Sequence, residues 1–116
     1  KEYYGFFYNC HSLKKVPDTF RLPDNATDIM NLFYQCNSLE TIPNNFVIPA
    51  TATNVANAFL GCSSLKNATI VFNANLNHTS NFITCAGSEA YPITITGSGD
   101  LTTVGFESHT CYYIIK

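Results

Sequence analysis

Apolar and polar positions in this chain recur on a period far longer than that of a helix or a strand. FYNCHSL (7–13), FYQCNSL (33–39) and FLGCSSL (59–65) carry Phe, Cys and Leu at the same offsets. Cysteines fall at 10, 36, 62, 85 and 111, with gaps of 26, 26, 23 and 26 residues. Other columns keep step. Phe7, Phe33, Phe59 and Phe82 stand three before a Cys, and Leu13, Leu39 and Leu65 three after. Ten after a Cys come Phe20, Phe46, Phe72 and Ile95, and seven after come Pro17, Pro43, Thr69 and Pro92. Pro23 and Pro49 share a further column, as do Thr27, Thr53, Thr79 and Thr102. A unit of this size cannot bury its apolar face alone, so neighbouring units must stack to form a core.

Within each unit the pattern predicts a short parallel strand at Leu13-x-x-Val16, Leu39-x-x-Ile42 and Leu65-x-x-Ala68-x-Ile70. Pro17 and Pro43 limit those strands, since proline cannot donate to a ladder. A turn follows at Pro23-Asp24-Asn25. Thr27 to Leu32 and Thr53 to Ala58 then read as one or two helical turns, with Thr27 or Thr53 as N-cap. Ile93 and Ile95 alternate before Gly97-Ser98-Gly99, a strand and its turn, and Tyr112 to Ile115 reads as a last strand. The expected fold is a solenoid of about four turns of 23–26 residues, with a parallel β-sheet on one face and short helices or 3-10 turns on the other. The expected organisation is one domain, 1–116, with repeats near 7–32, 33–58, 59–81 and 82–107 and partial repeats at both ends. The shortening in the third unit falls between Thr79 and Phe82.

One charged column bears on the stacking. Lys14, Glu40, Lys66 and Glu89 each stand four after a Cys. In a parallel stack, opposite charges would face each other at every step and discourage a slip by one unit. The competing reading is four scattered surface charges.

The run F-x-x-C-x-S-L-x-x-I/V-P, as at Phe33, Cys36 and Leu39, resembles the leucine-rich repeats of BspA-like (treponemal-type) surface proteins of bacteria and protists. The resemblance covers 7–82 well and 82–116 loosely, and it departs in length, since that family favours the unit length found only in the third repeat. It implies a leucine-rich-repeat-like right-handed solenoid displayed outside the cell for adhesion or host contact, and no enzyme.

Composition narrows the function classes. Charged residues make up 12% of 116, about half the globular average, and Asn, Thr and Ser cover the surface instead. The net charge is −2, and no basic cluster exceeds Lys14-Lys15, so a nucleic-acid groove is not expected. No apolar run approaches the roughly 18 residues of a membrane helix. The chain opens on Lys1, which reads as a mature product or an excerpt of a longer protein. An extracellular or cell-surface location is expected, with no cofactor.

Five cysteines in an extracellular setting suggest disulfides. Side chains in one column point the same way, however, which makes the disulfide dihedral hard to reach and favours buried thiols. His11 and His109 lack zinc-ligand spacing. Asp18, Asp24 and Asp28 invite comparison with the paired carboxylates of glycoside hydrolysis, but they fall on turn and helix-start positions where Asp bonds its own backbone. Sequons occur at Asn25, Asn67 and Asn77. Asn25 and Asn77 share a turn column, while Asn67 lies on the strand.

Two functional readings follow. In the first, a strand face of Lys14, Lys15, Glu40, Thr41, Lys66, Asn67, Glu89 and Ala90 binds a protein or glycan on a host or neighbouring cell. In the second, Tyr3, Tyr4, Tyr112 and Tyr113 meet identical subunits at the open ends, giving a head-to-tail, N-glycosylated filament. Membrane insertion and catalysis are not expected in either.

Overall fold

A computed structural model describes residues 3–76, 81–99 and 112–116. Four strands form one sheet: β1 (Phe46–Ile48), β2 (Thr69–Phe72), β3 (Ile93–Thr96) and β4 (Tyr113–Ile115). All pairs are parallel, and the strands lie in sequence order. Alternation directs one side of each strand inward. Phe46, Ile48, Ile70, Phe72, Ile93 and Ile95 are buried, whereas Val47, Val71 and Thr94 are half-buried.

The strands begin later than the sequence pattern predicts. Leu13–Val16 and Leu39–Ile42 contribute only a single parallel bridge, Lys15 to Thr41. Pro17 and Pro43 follow at once and remove the amide the next rung needs. Past the Asn44-Asn45 turn, Phe46-Val47-Ile48 offers β-branched and aromatic residues with no proline until Pro49, and pairing resumes there. β3 and β4 fall where the sequence places strands. Phe72 stands opposite Ile48 and Ile70 opposite Phe46, so the column Phe20, Phe46, Phe72 slips by two at its third member. A slip of two keeps the side chain on the inner face, and Phe72 is fully buried.

The expected solenoid with helices or 3-10 turns is overturned. No helix occurs among the described residues; the domain is a small all-parallel four-stranded sheet joined by turns and bends. With no alternation of helix and strand, the leucine-rich-repeat and BspA-like resemblance falls with it. The reason lies in Thr27–Leu32 and Thr53–Ala58, the segments expected to be helical. Asn31 and Asn57 take positive φ within them, as Gln35 and Gly61 do just beyond, which breaks an α-helical run. Asp28 and Asn54 start these segments with side-chain carboxylate and amide oxygens that accept from the Met30 and Ala56 amides two residues on. Alternate amides then point to the next repeat instead of back along the chain. Those of Ile29, Asn31, Phe33 and Gln35 donate to the carbonyls of Asn54, Ala56, Ala58 and Leu60 at 2.7–2.9 Å. Tyr3, Gly5, Phe7 and Asn9 bond Asp28, Met30, Leu32 and Tyr34 in the same way.

Between this turn ladder and the sheet lies the core. Phe33, Phe46, Phe59, Phe72 and Phe82 are fully buried. Phe7, Phe33 and Phe59 stack in a file with centroids 5.1 and 5.3 Å apart, and Phe20 stacks on Phe46 at 5.9 Å. Burying each such ring contributes about 1.5–3 kcal/mol relative to exposure.

The file ends at the fourth repeat. The contact from Phe59 to Phe82 is edge-on, with rings 81° apart. Backbone bonds show why. The Gln35 and Gly61 amides donate to Leu60 and Thr84, so Thr84 matches Leu60, Ala86 matches Cys62, and Ile83 matches Phe59. The F-x-x-C spacing places Phe82 and Cys85 in those columns, one residue out. Accordingly Ala86 and Ile83 are buried and Cys85 is exposed. The expectation that every cysteine of the column points inward therefore fails at Cys85. Cys10, Cys36, Cys62 and Cys85 are all free thiols, and Cys111 lies outside the described residues.

Candidate groove across three repeats

An open groove of about 530 Å³ crosses the face before the sheet, within the size range of small-molecule sites. Its lining is Lys15, Asp18, Arg21, Thr41, Ile42, Asn44, Lys66 and Asn67. The repeat builds it. Lys15, Thr41 and Asn67 stand 26 residues apart, as do Asp18 and Asn44, so one short segment is presented from three successive units. Backbone bonds fix the spacing: the Glu40 amide donates to the Lys14 carbonyl at 2.8 Å and the Lys66 amide to Glu40 at 2.9 Å. Ile42, a buried core residue, supplies the one apolar lining residue.

The polar groups are ordered by turns. The Phe20 amide donates to the Pro17 carbonyl and closes the Asp18-Thr19 turn. Arg21 folds back on that turn, its Nη1 donating to the carbonyls of Asp18 at 2.8 Å and Phe20 at 2.9 Å. Asn67 takes φ 55°, a conformation asparagine tolerates. Three of the chain's six cationic side chains converge here against one lining carboxylate. Among the described residues, Lys15, Arg21 and Lys66 make no ion pair.

Of the residues singled out from sequence, Lys15, Thr41, Lys66 and Asn67 line the groove together. Lys14 and Glu40 are exposed on the adjoining rung, with no side-chain ion pair between Lys14, Glu40 and Lys66 among the described residues. Glu89 and Ala90 are exposed in a bend that Ser88 and Tyr91 close with reciprocal backbone bonds. Asn25 is exposed in a turn, and Asn67 is both a sequon asparagine and a groove residue. Asn77 lies outside the described residues. Tyr3 and Tyr4 lie in the partial unit before the first repeat; Tyr3 is half-buried and its amide donates to the Asp28 carbonyl, and Tyr4 is 57% exposed. Tyr112 and Tyr113 lie at the β4 edge, the far side of the sheet. Sequence reasoning passed over Arg21 and Asn44, and weighed Asp18 as a hydrolytic carboxylate before favouring a turn residue. The signal was present: Asp18 and Asn44 share a column three after Lys15 and Thr41.

The thiols form a separate feature. Cys36 Sγ donates to the Phe7 carbonyl at 3.0 Å and Cys62 Sγ to Phe33 at 3.1 Å. Burial pushes the Cys36 thiol up to about 11, and burial drives Cys62 in the same direction. These are structural, protonated groups and not nucleophiles. Among the described residues, no group of three or more His, Cys, Asp or Glu side chains is placed to hold a metal ion. No described helix is long and apolar enough to cross a membrane. No family model, curated protein or solved structure matches the chain.

Proposed function

We propose that this chain is a non-enzymatic binding module, working outside the cell or at its surface, that holds part of a protein or glycan in the groove of Lys15, Thr41, Lys66 and Asn67. One observation carries the reading: three cations with no ion pair among the described residues converge on a polar groove assembled by the repeat itself. Repetition makes such a surface rigid, so little ordering entropy is lost when a partner docks. The same lining argues against hydrolysis of a glycosidic bond. That reaction ordinarily takes two carboxylates flanking one bond, and Asp18 is the only carboxylate among the lining residues. Low charge and the sequons support an extracellular setting.

The test is a combined glycan and peptide array probed with the wild-type chain and with K15E/K66E. Both lysines are exposed, so the double variant is expected to keep its circular dichroism spectrum and thermal midpoint. The expected result is a set of bound features whose signal drops at least about tenfold in the variant. Features that keep full signal in the variant would move the binding site away from this groove.

A further inference from the structure

We infer that the groove is selective for an acidic oligosaccharide, a sugar chain carrying carboxylate or sulfate groups. This rests on the binding-module reading and narrows its ligand. The cations set the sign. Arg21 is oriented by its two backbone carbonyls, and its remaining donors present the planar fork that matches a carboxylate or sulfate oxygen pair. Lys15 and Lys66 approach from neighbouring repeats as point charges.

The neutral groups set the rest of the chemistry. Asn44, Asn67 and Thr41 offer donors and acceptors side by side, as polyhydroxylated rings require. Asp18 is informative because it disfavours a polyanion that brings no donor for its carboxylate. A carboxylate among cations suits a ligand that also brings hydroxyl donors, which an acidic sugar does and a run of acidic residues does not.

An acidic peptide fits less well on two further grounds. Peptides that bind as added strands need an unpaired edge. Here the Glu40 and Lys66 amides are already spent on the neighbouring repeat, and Lys15 and Thr41 are bridged. Peptides that bind by side-chain anchors need apolar pockets, and the groove offers Ile42 and no aromatic residue. The missing aromatics also remove the stacking platform that single-stranded nucleic acid uses.

Calorimetric titration of the full chain tests this with four probes: an oligogalacturonate, a heparin-derived oligosaccharide, a neutral maltooligosaccharide of matched length, and polyglutamate. At least one acidic sugar is expected to bind at least about tenfold more tightly than the neutral sugar and polyglutamate. That binding should weaken as salt rises. It should also fall at least about tenfold in K15E/K66E and in R21A. The ratio between the two acidic sugars tells carboxylate from sulfate recognition. A neutral sugar that binds equally well, or polyglutamate that binds while both acidic sugars fail, would overturn the ligand class. If that binding still vanished in K15E/K66E, the groove would remain the binding site. Failure of all four probes would overturn the inference, and the array would then decide the broader reading separately.

Discussion

The second and third repeats carry their cysteines inward, and the fourth carries its cysteine outward, although all three share the same F-x-x-C letters. In the inner pair, Sγ rests on the carbonyl of the preceding repeat and a left-handed residue, Gln35 or Gly61, stands one before the Cys. In the fourth repeat the left-handed positions are Asn81 and Cys85 themselves. The backbone unit is thus kept from repeat to repeat while the letters slide across it by one residue. The alternative register explains why. It would set Thr84, a β-branched residue, in the left-handed position and Asn81 in the buried place of Ala58. The observed register gives the left-handed position to Asn81, which tolerates it, and buries Phe82, Ile83 and Ala86. Backbone conformation and side-chain burial outweigh the match of one cysteine.

The largest expected effect comes from the residue whose environment the two registers assign most differently. Ile83 is buried in the place of Phe59. Ile83→Ala is therefore expected to destabilise by about 2–5 kcal/mol, as large-to-small core substitutions do. The unshifted register would put Ile83 at the half-buried position of Leu60, where truncation would cost well under that. Urea denaturation of the variant, read against Leu60→Ala, separates the two. Similar small losses in both would break the distinction between the repeats.

Next in size is the left-handed position. Asn81 sits at φ 65°, a conformation a β-branched residue enters only with strain. Asn81→Val is expected to lose about 1–3 kcal/mol, while Asn81→Gly, which fits without strain, should lie close to the native stability. Thermal midpoints measured side by side give the ordering. Equal losses in the two variants would show that the asparagine side chain, and not its backbone, is what the fourth repeat needs.

The period of the chain, the inward Phe file and the β3 and β4 strands were legible because each follows from residues whose burial or β preference is strong. Phe7, Phe33 and Phe59 lie a constant 26 residues apart, and Ile93 and Ile95 alternate between turn residues. The absence of helix was less legible. Thr27 to Leu32 has helix-like apolar spacing, and nothing in its letters says that alternate amides will serve a neighbouring repeat. Asn31 and Asn57 were the available signal, since a recurring asparagine at one column marks a left-handed position. Asn81 continues that column one residue away from the position the cysteines indicate, and would have exposed the slip. Half of the groove was visible as a strand face of Lys15, Thr41, Lys66 and Asn67. Arg21 was hidden because its place depends on a turn that folds its side chain back over Asp18 and Phe20.

The smallest effect concerns the thiols. Folding holds Cys36 protonated, its pKa raised by burial from 9.0 to about 11, and Cys62 shifts the same way. Between those two values the folded chain binds more protons than the unfolded one, so stability falls as pH rises. The stabilisation is fully present below pH 9.0 and is lost as pH climbs through about 11. Denaturation curves at pH 8, 9.5 and 11 are thus expected to show a smaller alkaline loss in Cys36→Ala than in the wild-type chain. Taking the difference between the variant and the wild-type chain isolates the contribution of this one thiol. Native-state labelling with a thiol reagent adds an independent reading. Cys85→Ser should remove one fast equivalent, whereas Cys36→Ala should leave the fast phase intact, because a buried protonated thiol reacts only when the repeat opens. A fast phase that instead disappeared with Cys36 would mean that the inward column is the accessible one, and the contrast between the repeats would be reversed.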